Sequence, residues 1–269
     1  MKKKIYNILP ELLQPFANKA HGIYHNTVNR AYDTYMHGKN PEKYKKKRDP
    51  FKDIRNIVNI ESPVIVDGGA HVGKSVDTFL KLYPNSDIHA FEPLPEHLAE
   101  LEGNFGKNPN VSIHEQALGP QNDDVLINIL GSSSSSSIFS PSTIKQEYRE
   151  RAGKNRENYE TRETVNIQQV RLDDKLNHVD IIKLDLQGYE LAALKGAEGL
   201  LSNSAAILTE VEFIPYYDNQ PLFNDIHGYM NEKNFNLYFI YHGYIEPDGR
   251  LPTADVLYLN DDIDTIPNK

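Results

Sequence analysis

The segment Val64-Ile65-Val66-Asp67-Gly68-Gly69-Ala70-His71-Val72-Gly73 ends an apolar run in a carboxylate and turns through residues too small to shield the backbone. A turn of this kind lets a ligand approach main-chain N–H groups at the start of a helix. The glycines alone do not name the ligand, because Gly68, Ala70 and Gly73 also pass as a loose dinucleotide fingerprint, and a plain strand-to-helix turn needs no ligand at all. Asp67 separates the readings: its carboxylate would repel a pyrophosphate and attract the cationic amino-acid end of S-adenosylmethionine. Glu92 closes the next apolar run, 25 residues on, where a carboxylate can accept both hydroxyls of a ribose. Both cofactor classes carry that ribose, so Glu92 supports an adenosine without choosing between them.

These groups need elements to position them. From Glu61 onward, short apolar runs alternate with helical patterns, as expected of βαβ units on a largely parallel sheet. Strands are predicted at Val64–Val66, Ile88–Phe91, Val111–Leu118, Val125–Leu130, Val165–Val170, Asp180–Leu186, Ala205–Val211, Leu237–Tyr241 and Ala254–Leu259. Helical periodicity joins Val76, Phe79 and Leu80, then Leu98 and Leu101, then Leu191 and Leu194, then Phe223, Ile226 and Met230. The charged stretch from Lys145 to Glu163 reads as a surface helix or an insertion. Upstream, Phe16 to Met36 has a helical pattern and Lys43 to Arg48 reads as a solvated connection. Residues 1–60 are therefore expected to form a basic helical extension, and residues 61–269 the catalytic domain.

Charge divides the same way. The 269 residues carry a net −9, yet residues 1–60 hold +8 and the remainder −17. The acidic body disfavours nucleic acid, whereas the basic arm suits an anionic acceptor, a membrane face or the body itself. With no Cys, disulfide frameworks, thiolate metal sites and cysteine nucleophiles are excluded, so catalysis must use oxygen or nitrogen groups. Asn7, Pro10 and Glu11 break the only signal-like start, and no apolar stretch nears the ~20 residues of a membrane span, so a cytoplasmic location is expected. Oligomeric state is not legible.

One ordered series of segments goes further. Val66-Asp-Gly-Gly-Ala-His-Val-Gly73, Ala90-Phe-Glu-Pro-Leu-Pro95, Ala117-Leu-Gly119, Gly131 to Ser137, Val170-Arg-Leu-Asp-Asp174, Ile182-Lys-Leu-Asp-Leu-Gln-Gly-Tyr-Glu190, Leu194-Lys-Gly-Ala197, Glu210-Val-Glu-Phe213, Tyr217 to Phe223 and Ala254-Asp255 resemble the FkbM family of S-adenosylmethionine-dependent methyltransferases. The resemblance implies a class I methyltransferase (Rossmann-like) α/β fold: a seven-stranded, mostly parallel sheet with helices on both faces and one antiparallel strand near its end. It also implies O-methylation, commonly of a sugar or natural-product hydroxyl, so a glycan or glycoconjugate is the expected acceptor. Two positions depart from the family pattern: His71 stands where Asn is common, and Gln187 where Glu is typical. Gln187 removes a negative charge beside Asp185, so any chemistry that Glu performed must fall to another group.

Methyl transfer to an alcohol needs in-line alignment and a base for the hydroxyl proton. Asp185 is the leading candidate base, followed by Glu212 and His242, all at strand ends. Lys183 shares a strand face with Asp185 and is a rival structural partner for it, and Glu190 reads as a first-turn helix carboxylate. The expected cofactor contacts are Asp67, Gly68, Gly69, Ala70, His71, Gly73, Ser75, Glu92, Gln116, Ala117 and Ser137, the last from a serine-rich loop. Phe213, Tyr216, Tyr217 and Phe223 offer either an acceptor wall or core packing. Mg²⁺ would suit the oxygens of Asp185 and Glu212, but two carboxylates without ligand spacing do not make a site, and no metal is assigned. A nicotinamide-dependent oxidoreductase and a non-catalytic cofactor-binding module are the alternatives.

Overall fold

Near-continuous apolar runs, buried on both faces, build the sheet that carries the site. In the computed structural model, which describes residues 48–131, 136–141, 161–241 and 249–261, ten strands form two sheets. They are β1 Val64–Gly68, β2 Asp87–Phe91, β3 Val111–His114, β4 Ala117–Leu118, β5 Asp123–Leu130, β6 Thr161–Val170, β7 Ile181–Leu184, β8 Ala206–Glu212, β9 Phe235–Ile240 and β10 Thr253–Asn260. The main sheet has seven strands in the order β3-β2-β1-β7-β8-β10-β9, and β10 runs antiparallel to both its neighbours. Helices are α1 Pro50–Ile57, α2 Lys74–Leu82, α3 Pro95–Phe105, α4 Glu190–Gly196, α5 Glu198–Leu201 and α6 Phe223–Glu232.

Alternate residues of each central strand feed opposite cores. Val66, Ile182, Ile207 and Val256 pack with Ala193, Leu194, Leu200 and Met230 from α4 to α6. Ile65, Ile181, Leu208 and Leu257 pack with Ile54, Val76, Phe79 and Leu101 from α1 to α3. Both faces are thus covered, as a parallel sheet requires.

Three sequence-based boundaries shift. The run Val111–Leu118 is two strands: β3 stays in the main sheet, while β4 leaves it to pair with β6. Val125–Leu130 and Val165–Val170 lie in the antiparallel partners β5 and β6 of the small sheet, and β6 begins at Thr161 inside the stretch read as a surface helix or insertion. The compact unit holding the sheet begins at Asp49, not at residue 61. Asp49 caps α1 by accepting the Phe51 and Lys52 N–H groups, and Ile54 is fully buried against α2, so this amphipathic turn belongs to the core. The expected helix at residues 16–36, the basic run, residues 142–160 and His242 lie outside the described residues.

Candidate active site

The C-terminal ends of β1, β2 and β7 open into a cavity of about 320 Å³, closed on one side by the small sheet. Ligands of open α/β sheets bind at this edge. Its backbone is tightly knitted: Gly69 and Ala70 N–H groups donate to the Phe91 carbonyl at 3.0 and 3.1 Å, and the Asp185 N–H donates to the Gly68 carbonyl at 3.1 Å. Gly69 has a φ of +73°, and a Cβ there would lie 2.0 Å from the Asp185 carbonyl oxygen. Gly69→Ala should cost about 1–3 kcal/mol in backbone strain alone. Because one loop must also move, S-adenosylhomocysteine affinity should fall at least about tenfold, equivalent to ~1.4 kcal/mol. Calorimetry and thermal melts measure the two effects.

Gly69, Ala70, His71, Ser75, Glu92, Gln116, Ala117, Ser137 and Asp185 all line the cavity. Asp67, Gly68 and Gly73 do not. Asp67 is wholly buried, accepts from the Ser75 hydroxyl and is ion-paired with Lys183 at 3.0 Å. The expected attraction of a free Asp67 carboxylate for a cationic ligand is therefore corrected: that charge is already neutralised inside the protein. Gly68 packs on Leu184 and Leu118, and Gly73 at φ +89° lets Phe105 and Leu101 close against the turn.

Glu92 is also nearly buried. One carboxylate oxygen accepts the His71 N–H at 2.9 Å, and the other accepts the Leu94 N–H at 2.9 Å. The oxygen that accepts from His71 keeps a further acceptor position, whereas the other also faces the His97 ring. His97, which the sequence reading missed, lies beside Glu92 at 3.5 Å and packs against His71 with the rings tilted by 38° and their centroids 3.8 Å apart. The Glu92 hydrogen bond raises the His97 pKa against its burial, whereas burial and then the neighbouring His97 lower that of His71. Only the five-residue spacing of Glu92 and His97 hinted at this pair.

The loop after β7 carries the candidate base. Asp185 is exposed, and the Gln187 side-chain amide donates to its Oδ1 at 3.0 Å and to Glu210 Oε2 at 2.9 Å. A glutamate at position 187 would press a third carboxylate against these two; the amide holds them together instead. Lys183 does not pair with Asp185 as the strand alternation allowed, but with Asp67. Ser137 reaches this loop directly, its hydroxyl donating to the Gln187 carbonyl at 2.7 Å, while Phe139 packs edge-on against Tyr189.

Glu212 lies off the cavity. It is buried away from the cavity lining, so an acceptor hydroxyl there cannot reach it; burial followed by nearby Glu190 raises its pKa well above the carboxylate range. Burial also raises Glu210, with Asp185 adding to the effect. Tyr216 and Tyr217 bury against Leu130, and Phe213 packs on Phe223 at 5.2 Å; none lines the cavity, so this aromatic segment is core rather than acceptor wall. Among the described residues, no group of three or more histidine or acidic side chains is arranged to hold a metal ion, and no helix is long and apolar enough to cross a membrane.

Glu190 secures the loop from beneath by accepting the Leu186 N–H at 2.6 Å and the Gly188 N–H at 3.2 Å. Burial pushes its pKa from 4.5 up to about 7. The native state then binds this proton more tightly than the unfolded chain, so the Glu190 contribution falls as pH rises between 4.5 and 7, by about 3 kcal/mol. His71 and His114, lowered chiefly by burial, act in the opposite sense below their ordinary pKa of 6.5. The test is therefore a difference between proteins: Glu190→Gln should be more stable than wild type at pH 8 and should lose that advantage near pH 5 in denaturant titrations.

The strand order, the single antiparallel strand and a cavity built on the glycine turn and the Glu92 strand end define a class I methyltransferase, which uses S-adenosylmethionine. The chain belongs to the FkbM methyltransferase family, the family model described as Methyltransferase FkbM domain matching residues 67–237. It is similar to the 2-O-methyltransferase NoeI of Sinorhizobium fredii (strain NBRC 101917 / NGR234), with 27% identity over 194 residues, 66% of this chain and 76% of that protein. A crystal structure of methyltransferase FkbM from Methylobacillus flagellatus KT superposes with a TM-score of 0.50 at 16% identity. That match covers 81% of this chain and 50% of the other, so the chain spans about half the length of that structure.

Proposed function

We propose that this methyltransferase acts on a hydroxyl of a sugar, within a glycan or glycoconjugate, with Asp185 as general base. The observation that carries the reading is an exposed carboxylate at the end of β7, on the cavity wall and fixed by the Gln187 amide. The similarity to a protein named as a 2-O-methyltransferase supports oxygen as the accepting atom.

The donor set fits the cofactor. Glu92 keeps an acceptor position on Oε2 for a ribose hydroxyl, and apolar Leu94, Ala117 and Ile127 offer a slot for an adenine. Lys74 and the first turn of α2, which has no side-chain cap, present a cation and N–H groups to a carboxylate. When bound, S-adenosylmethionine supplies an electrophilic methyl group. Asp185 accepts the hydroxyl proton as the acceptor oxygen attacks, and Gln187 keeps the carboxylate from turning away. Ser137 fixes the Gln187 backbone, so this one residue sets the base as well as part of the cavity wall.

Mass spectrometry of glycans incubated with labelled S-adenosylmethionine tests the assignment. Label on a sugar oxygen is the expected result; transfer only to nitrogen or carbon acceptors would overturn it.

A further inference from the structure

A second cavity, of about 280 Å³, adjoins the first on the face of the sheet covered by α1 and α2. Four residues line both: Lys74, Ser75, Lys183 and Asp185. The remaining lining is Phe51 from α1, Thr78 from α2, Leu184, Leu208 and Asp255. Resting on the sugar-hydroxyl reading above, we propose that this second cavity is the acceptor site and that it selects an uncharged glycosyl residue.

Space gives the first argument. Small-ligand sites generally occupy ~300–1,000 Å³, so the first cavity has room for a cofactor but not for a second substrate with it. Geometry gives the second. In-line transfer requires the nucleophile to reach the methyl carbon from the side opposite the departing sulfur, so the two substrates must meet from different directions. Asp185 stands where the two cavities meet and can take a proton from an acceptor in either.

The strand register explains why this polar hollow exists. On the α1 and α2 face, Ile65, Ile181, Leu208 and Leu257 are buried and apolar. One step further toward the cavity edge, each of these strands places an ionisable residue on the same face: Asp67, Lys183, Glu210 and Asp255. Lys183 is committed to Asp67, and Glu210 to Gln187 and Thr253. That leaves Asp185 and Asp255 with Lys74, which is assigned to the cofactor carboxylate, so the lining presents an excess of negative charge to an acceptor. Carboxylates in that balance accept hydroxyl hydrogens and repel a uronate or phosphate. Asp255 is exposed to the cavity, where partial desolvation with Asp185 nearby raises its pKa to about 6, which still leaves it mainly an acceptor at pH 7.5. Phe51 supplies an aromatic face for the apolar side of a pyranose ring.

The test uses the full chain with the methyl glycosides of glucose, galactose and mannose, and with their uronic acid counterparts. Initial rates are read with saturating S-adenosylmethionine, and S-adenosylhomocysteine affinity is measured in parallel. Thr78→Trp, which fills the cavity, and Asp255→Asn should each raise the glycoside KM at least about tenfold while homocysteine-product affinity stays within about twofold. Neutral glycosides should exceed the uronic acids in kcat/KM by a similar factor. If neutral glycosides turn over and both variants keep the wild-type KM, the acceptor class stands and the second cavity is wrong. Preference for a uronic acid would overturn the charge argument. If wild type binds S-adenosylhomocysteine but methylates no glycoside, the sugar reading and this inference fall together.

Discussion

Asp185→Asn should reduce methyl transfer by about 10²–10⁴-fold, the usual contribution of a positioned general base, while leaving S-adenosylhomocysteine affinity within a few-fold. The substitution keeps the shape and leaves an amide in place of the proton acceptor. Any residual rate would come from proximity and alignment, which Asp185 does not supply alone. Turnover within about threefold of wild type would remove Asp185 from the chemistry.

Lys183→Met should be the most destabilising substitution in the site, at about 3–5 kcal/mol, because it strands a carboxylate that has no exposure to solvent. Lys183 contacts Asp67 at 3.0 Å and donates to the Gly69 carbonyl at 3.2 Å, so it holds both the end of β1 and the glycine turn. Burial alone would lower the Lys183 pKa, but Asp67 and Asp185 outweigh it and keep the ammonium charged. The pair therefore behaves as a structural strut rather than as a binding charge. Combining Lys183→Met with Asp67→Asn should recover a large part of the loss, since the stranded charge is removed. Chemical denaturation of the four proteins of this cycle measures the coupling directly; no recovery in the double variant would show that Asp67 is not the partner that matters.

Much of the architecture was legible because strands buried on both faces read as short continuous apolar runs and half-buried helices as a period near 3.6. The runs Val64–Val66, Ile88–Phe91 and Ala205–Val211 fall in β1, β2 and β8, or within one residue of them. The glycine turn and Glu92 were recognisable for a local reason: their roles depend on neighbours in the chain. The split of Val111–Leu118 was not legible, because leaving one sheet for another is decided by which partner strand is free, and composition does not change at that point.

The charge arrangement shows the same limit. Residue types alone established a cysteine-free chain of net −9 with its carboxylates at strand ends. Register decided what those carboxylates do. Asp67 and Lys183 are 116 positions apart in the chain but directly opposite in the pairing of β1 with β7, so the carboxylate that seemed poised for a cation is spent on a lysine. Asp255 stands opposite Glu210 in the pairing of β10 with β8 for the same kind of reason. The sequence determined which chemistry was available, because residue identity sets charge and hydrogen-bonding capacity. Only the tertiary structure decided which charges remain for a ligand, because pairing energy depends on distances that no local pattern encodes.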